Sequence, residues 1–397
     1  MNTVTVNKWL KPGWLITFSL ILVIACNSYR SNLEPRQRRA EIADIEHRDI
    51  NIVLVETSAS SNLFKEGVKL AVEELNENGG ILEGREFIPE YYDDKGDTAI
   101  GQVMARKIAQ NLDVVAVIGH RYSDVAIPVS ITYEKNGIGF ISTGSTDPNL
   151  TAHKASYVFR NIPTDKYIGY QLANFASEND LNRMFIIFER ESYGKRLAEF
   201  FKEKAESEDV NVKIIAIRSY HKKQTDFRSL LLDAQELDFN AILVAGGIKS
   251  ATRLIKQTRS LGITQPFIGG DSLDNPVLWD KVGYAAVGTF AASVFNPRQN
   301  RQSKIFVDNF KKKYKGKKPD AKAAQGYDAV KILARAIENS KSTVPIDIAM
   351  ALKYMKGWTG VVGSYKFLPN RGDITGRNIH IKRLSADGNF KFINESK

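Results

Sequence analysis

Apolar residues in this chain alternate between two spacings, and the alternation predicts an α/β protein. Residues 50–55 form a β-branched apolar run. Apolar side chains then recur at helical spacing, at Leu63, Phe64, Val68, Leu70, Ala71 and Leu75, until Asn78-Gly79-Gly80 ends the helix. The same reading predicts strands over 87–92, 114–119 and 139–142, with helices over 98–109 and 124–135. A second series starts at Met184, with strands over 184–188, 212–217, 241–245 and 267–269 and helices over 195–205, 227–237 and 250–261. Helices over 303–314 and 321–339 follow. Residues 360–392 change character, with short strand-like runs separated by the turn signals Asn370-Arg371-Gly372-Asp373 and Asp387-Gly388. Continuous apolar strands joined through helices imply parallel sheets covered on both faces. The chain therefore predicts two α/β units of similar size, with no fixed-period repeat.

The N-terminus stands outside this pattern. Lys8 and Lys11 precede an uncharged, mostly apolar stretch over 14–25. That stretch is shorter than the roughly 20 residues a membrane-spanning helix needs, and it fits the core of an export signal. It ends in Leu22-Val23-Ile24-Ala25-Cys26, which resembles a bacterial lipobox, so residues 1–25 are expected to be cleaved and Cys26 to carry lipid. The alternative is a free buried thiol, the usual fate of an unpaired Cys. Cys26 is the only cysteine, so the body forms no internal disulfide and relies on burial. Residues 26–48 are polar, carry mixed charge and lack sustained apolar periodicity. They are expected to act as a tether reaching about 25 Å, with a short helix over 40–46 as the alternative.

Charge excludes little but is informative about class. The net charge is +11, yet the basic residues are dispersed, and 311–318 is the one dense run. Such a run reads as a solvated face rather than a nucleic-acid site. There is no Gly-x-Ser-x-Gly elbow, no phosphate loop and no pair at metal spacing among His47, His120, His153, His221 and His380. No cofactor, metal or catalytic residue is expected. His120 is placed at the cleft without an evident partner.

Ligands of open parallel sheets sit beyond the carboxyl ends of the strands. Two strand ends here are rich in hydroxyls. One is His120-Arg121-Tyr122-Ser123-Asp124, and the other is Ser142-Thr143-Gly144-Ser145-Thr146-Asp147-Pro148. Each precedes a plausible helix start, whose free N–H groups and positive dipole end attract a carboxylate. Ser123 and Thr146 also suit plain N-capping, which is compatible with placing a hydroxyl at the cleft.

Several stretches, in order, form a recognisable series. They are Ala71-Val72-Glu73-Glu74-Leu75-Asn76 with Gly79-Gly80-Ile81, Tyr92-Asp93-Asp94, Ile118-Gly119-His120 with Ser123, and Ile141-Ser142 with Thr146, Pro148, Leu150 and Thr151. Phe159-Arg160 with Asp165, Tyr193-Gly194, Gly269-Gly270-Asp271, Gly326-Tyr327-Asp328-Ala329 and Phe367 with Gly372-Asp373 continue the series. Together they resemble the branched-chain amino-acid-binding proteins of ABC importers, and the resemblance implies the type I periplasmic-binding fold, two Rossmann-like lobes joined by a hinge of three crossovers. These are expected near 163–167, 293–298 and 357–362. Lobe 1 would be 49–165 with 296–358, and lobe 2 would be 166–295 with 359–397.

The resemblance also implies roles. Ser123 would bond the ligand carboxylate, the Gly144 carbonyl its ammonium, and Thr146 both groups. Tyr193 would close over the ligand from the second lobe and Asp271 would pair with the ammonium. Ser145, Tyr122 and Arg121 complete the expected ligand site. A zwitterion suits such a set, because burying either charge unpaired is costly. Three departures bear on ligand identity. The loop over 56–66 is short and lacks the family's Gly-Pro and aromatic, Ile248 lies near a pocket Tyr position, and Arg121 replaces an aliphatic residue. Arg121 either points into the cleft and favours a second acidic group, or pairs with Asp124 or another surface acid. Tyr122 replaces a Cys found in some members. The expected function is an exported, lipid-anchored, monomeric solute-binding protein that docks on ABC permease subunits. The alternative is a sensing lipoprotein that signals without transport. Arg371-Gly372-Asp373 reads as a turn rather than an adhesion motif.

Overall fold

A computed structural model describes residues 34–45, 48–58, 62–153, 155–375 and 379–393. The export signal expected over 1–25 and the lipidation expected at Cys26 lie outside the described residues.

Five parallel strands form the first sheet: β1 (Ile50–Glu56), β2 (Phe87–Asp93), β3 (Val114–Gly119), β4 (Gly139–Ser142) and β5 (Val158–Arg160). They pair in the order β2-β1-β3-β4-β5. Strand side chains alternate between faces, and β1 shows why its sequence is apolar throughout. Ile50, Ile52 and Leu54 enter one core with the helices Phe64–Glu77 and Ala321–Ser340. Val53 and Val55 enter another with the helices Thr98–Gln110 and Ser123–Asn136.

The second sheet repeats the plan with β6 (Arg183–Glu189), β7 (Lys213–Tyr220), β8 (Ala241–Ala245), β9 (Phe267–Gly269) and β10 (Phe290–Ser293), in the order β7-β6-β8-β9-β10. Phe185 and Ile187 of β6 face one core, and Met184 and Ile186 the other. A hairpin of β11 (Trp358–Thr359) and β12 (Ser364–Tyr365) stands apart. The chain ends with β13 (His380–Leu384), antiparallel to β10, and β14 (Phe390–Phe392), antiparallel to β13. The α/β class with two Rossmann-like lobes is the observed architecture. Among the described residues no helix is long and apolar enough to cross a membrane.

The segments between the sheets converge on one apolar cluster. Ile162, Val294 and Phe295, with Ile379 beside them, pack on Val361, Val362, Phe306 and Phe310. The third crossover differs from the expectation at 357–362. Asp328, buried in the helix 321–340, accepts from the Val361 and Val362 amides, each at 2.8 Å, and from the Tyr365 hydroxyl at 2.7 Å. Phe367 joins the first lobe's core. Fully buried Arg160 donates to Asp373 at 2.6 Å, to Thr151 at 2.8 Å and to the Ser145 carbonyl at 3.1 Å. These bonds hold the chain on lobe 1 through residue 375, and His380 already pairs with β10 of lobe 2. They also explain Arg371-Gly372-Asp373: Asp373 serves a buried ion pair inside the turn that joins Phe367 to Ile374.

The tether expectation is also corrected. Pro35–Ile45 is a helix packed on lobe 1. Arg39 is 1% exposed and inserts its guanidinium among the carbonyls of Ala109, Asn111, Leu112, Val114 and Asn136, at 2.7–3.1 Å. Those carbonyls lie at or near the ends of the helices 98–110 and 123–136, where four C=O groups lack intrahelical donors and a cation opposes the dipole. Two further differences are local. The segment 227–237 is helical only over Arg228–Leu231 before a 3₁₀ turn over Asp233–Glu236. The helices Asp165–Glu178 and Pro345–Lys353 escape the periodicity reading.

Arg39→Ala should cost about 3 kcal/mol, because several carbonyls lose a charged donor together. Urea unfolding measures it, and a change below about 0.5 kcal/mol would remove Arg39 as the clasp of this helix.

Candidate functional site

Both sheets reverse their strand order beside their first strand, and each reversal opens a crevice at the strand ends. The two crevices face one another across a cavity of about 400 Å³. In lobe 1 the chain leaves β3 through Gly119, at φ +138, and His120, at φ +48. A Cβ at Gly119 would lie 1.9 Å from the Val55 carbonyl oxygen, so only glycine fits this close approach. A left-handed non-glycine residue needs support from its surroundings, and His120 has it. Its ring is fully buried, with Nδ1 2.9 Å from Asp94 and Nε2 2.8 Å from the Tyr133 hydroxyl. The expectation of a partnerless histidine at the cleft is thus corrected. His120 lies behind the wall, and the turn it holds aims Arg121, Tyr122 and Ser123 at the cavity.

Ser123 begins the helix 123–136, whose first N–H groups have no acceptor within the helix. Its hydroxyl oxygen accepts from the Ser145 hydroxyl at 3.1 Å and from the Asp147 amide at 3.4 Å. Its own proton remains for a group in the cavity. Gly144 lines the same wall, where a Cβ would strike the Arg121 carbonyl at 2.7 Å. Ser145 and Thr146 are fully buried behind it. The Thr146 carbonyl accepts from the Asp165 amide at 2.8 Å, and its hydroxyl has no hydrogen-bond partner among the described residues. Asp165 is buried beside that hydroxyl with both carboxylate oxygens unpartnered among the described residues. Burial holds its pKa well above the ordinary carboxylate range; Asp271 and Asp147 add to the rise, while Thr146 and Arg160 oppose it.

Lobe 2 contributes Tyr193 and Asp271. Tyr193 donates to the Ser272 hydroxyl at 3.2 Å, and Ser272 donates to the Gly246 carbonyl at 2.7 Å, which fixes the phenol on the wall. Burial first, and then Asp271, raise the Tyr193 pKa. Ile248 begins the helix 248–260 and lines the cavity as an apolar residue. Asp271 reaches across the cleft and accepts from Lys322 at 3.0 Å, both side chains being about nine-tenths buried. Other bonds join the lobes along the opposite edge. Asp124 accepts from the Ser192 amide at 3.1 Å and hydroxyl at 2.6 Å, and Lys222 lies 5.3 Å from the centre of the Tyr122 ring.

Six of the expected ligand residues therefore border one cavity: Arg121, Tyr122, Ser123, Gly144, Tyr193 and Asp271. Arg121 does not pair with Asp124, which serves Ser192. Its nearest acid is Glu56, at 3.9 Å. Lys322 was invisible to sequence reasoning, because a lysine in the first turn of a helix resembles any solvated residue. Glu189 was missed too. It accepts from the Gly247 amide at 2.9 Å and from Ser250 at 2.7 Å, ordering the wall at the end of β6. Among the described residues no acidic, histidine or cysteine group could hold a metal ion. Lobe 1 presents the Ser123 hydroxyl and helix N–H groups to the cavity, and lobe 2 presents the Asp271 carboxylate.

Residues 56–389 match the family described as periplasmic binding protein. The chain is 28% identical over 335 residues to the Leu/Ile/Val-binding protein homolog 1 of Brucella abortus, covering 84% of this chain and 88% of that one. It is 28% identical over 329 residues to the leucine-specific-binding protein of Salmonella typhimurium, covering 81% and 86%. An ABC transporter substrate-binding protein from Desulfitobacterium hafniense, solved in complex with Leu, superposes with a TM-score of 0.77 at 34% identity, covering 87% of this chain and all of that one. These relatives are solute-binding proteins, not enzymes.

The buried Asp165 has a measurable consequence. A carboxyl whose folded pKa is raised favours the folded state fully below its unfolded pKa, and that stability is lost as pH rises through the folded value. Asp165→Asn should therefore gain on the wild type between about pH 4.5 and about pH 8, by about 1 kcal/mol or more. Urea unfolding at both pH values tests this, and a constant difference would show that Asp165 does not titrate there.

Proposed function

We propose a function from one premise: this chain belongs to the periplasmic binding protein family. It serves as the extracytoplasmic solute-binding component of an ABC importer. The family places the body outside the cytoplasm, in agreement with the export signal read over 1–25. Cys26 carries the lipid, and the body works as a monomer delivering an amino acid or similar small polar solute to permease subunits.

The observation that supports this reading is the pairing of the two walls. A helix N-terminus with the Ser123 hydroxyl faces the cavity from lobe 1, and Asp271 and Tyr193 face it from lobe 2. The first wall suits a carboxylate through N–H and O–H donors. Asp271 and the Gly144 carbonyl suit an ammonium. Neither lobe satisfies a zwitterion alone, so binding favours the form in which both walls meet. A solute shifts the open–closed balance only as far as it binds the closed form better. The 34%-identical protein solved with Leu supports the solute class.

A thermal-shift screen of the protein against amino acids, amides, urea and small dicarboxylates should find a stabilising solute, because a ligand that binds only the folded state raises the melting temperature. For that solute, Asp271→Ala should lower the calorimetric affinity about tenfold or more. Unchanged affinity would take Asp271 out of the site.

A further inference from the structure

We infer that the solute carries a second anionic group, beyond the carboxylate held at Ser123, and that Arg121 and Lys322 receive it. The inference rests on the reading of the cleft as a solute site and narrows the class of solute.

Arg121 is nine-tenths buried and borders the cavity. Its Nη1 is buried without a hydrogen-bond partner among the described residues. The nearest acid, Glu56, stands at 3.9 Å, beyond hydrogen-bond reach, and accepts instead from Asn62. A buried guanidinium N–H without an acceptor is costly, and an anion at the cavity wall would satisfy it with the planar fork that suits carboxylates.

Lys322 sharpens the point. It already pairs with Asp271 at 3.0 Å across the cleft. Three other acids face the cavity: Asp124 and Glu189 are taken up by Ser192 and by Gly247 with Ser250, and Glu191 lies beside Asp124 and Lys222. A neutral amino acid that gave its ammonium to Asp271 would set a like charge beside buried Lys322 and take away its hydrogen-bonded partner, leaving the more weakly coupled Glu56 and Asp320, and breaking a buried pair is strongly unfavourable. An acidic amino acid avoids this, because its side-chain carboxylate takes over Lys322 and Arg121 while its ammonium takes Asp271. A dicarboxylic acid without an amino group also avoids it, since Asp271 and Lys322 stay paired and Arg121 receives the second carboxylate. The shared requirement is the second carboxylate. Arg121 and Lys322 are thus the specificity-determining residues.

Isothermal titration of the full chain with leucine, isoleucine, aspartate, glutamate and succinate tests the inference. At least one acid should bind about tenfold or more tighter than leucine and isoleucine. Arg121→Met should weaken that acid at least about tenfold, and Lys322→Met should raise the affinity for leucine. Glutamate or aspartate exceeding succinate identifies an acidic amino acid, and the reverse order identifies a dicarboxylic acid. Leucine or isoleucine binding as tightly as every acid would overturn the inference and leave the solute-binding reading standing. Binding of none of the five would overturn the inference, whereas stabilisation by an amide or urea in the wider screen would preserve the general reading. The wild-type comparison decides even if a variant fails to fold.

Discussion

A parallel sheet that reverses its strand order cannot roof the crevice at the reversal with its own crossovers. That constraint shapes the molecule. Each lobe has the order 2-1-3-4-5 and so carries one crevice at its strand ends. Two such lobes set face to face cover each other's crevice, and the cavity between them is the consequence. Glu56 and Arg121 sit where β1 and β3 part, and Glu189 and Ile248 sit where β6 and β8 part. The chemistry of the site follows from which side chains the sequence puts at those four strand ends.

For a cleft of this kind to work, each lobe must be stiff and the joint between them compliant. Lobe 1 gains stiffness from buried polar anchors that tie distant segments to it. Arg39 clasps the helix 35–45, Asp328 holds the 360–365 turn, and Arg160 with Asp373 holds the turn that follows. Each charge sits among several partners, as a buried charge must. The joint is made differently. Ile162, Val294 and Phe295, with Ile379 beside them, meet lobe 1 in a non-directional apolar cluster, which tolerates a change of angle better than a set of hydrogen bonds would.

Much of the frame was legible because burial on both faces forces long apolar runs. The strands β1, β3, β6 and β8 are such runs, and the helices flanking them show the matching period. Ser123, Gly144, Tyr193 and Asp271 were legible as positions at strand ends and family motifs, and they meet at one cavity. What escaped notice depends on contacts distant in sequence. His120 has partners 26 residues before and 13 after it. Arg39 looks like any charge in a polar segment until it is seen among carbonyls about 70–97 residues away. Lys322 lies 51 residues from Asp271, and no local pattern distinguishes it from a solvated lysine. The third crossover was misplaced for the same reason: the short strands β11 and β12 carry little apolar pattern, and their allegiance is set by the carboxylate of Asp328.

Closure of the lobes on a solute between these walls is directly measurable. Spin labels at two exposed sites, Ile131→Cys on lobe 1 and Leu232→Cys on lobe 2, in a Cys26→Ser background, would report the distance between the lobes directly. Adding a solute that stabilises the protein should shorten the measured distance and narrow its distribution. A distribution left unchanged by such a solute would contradict closure and the mechanism built on it.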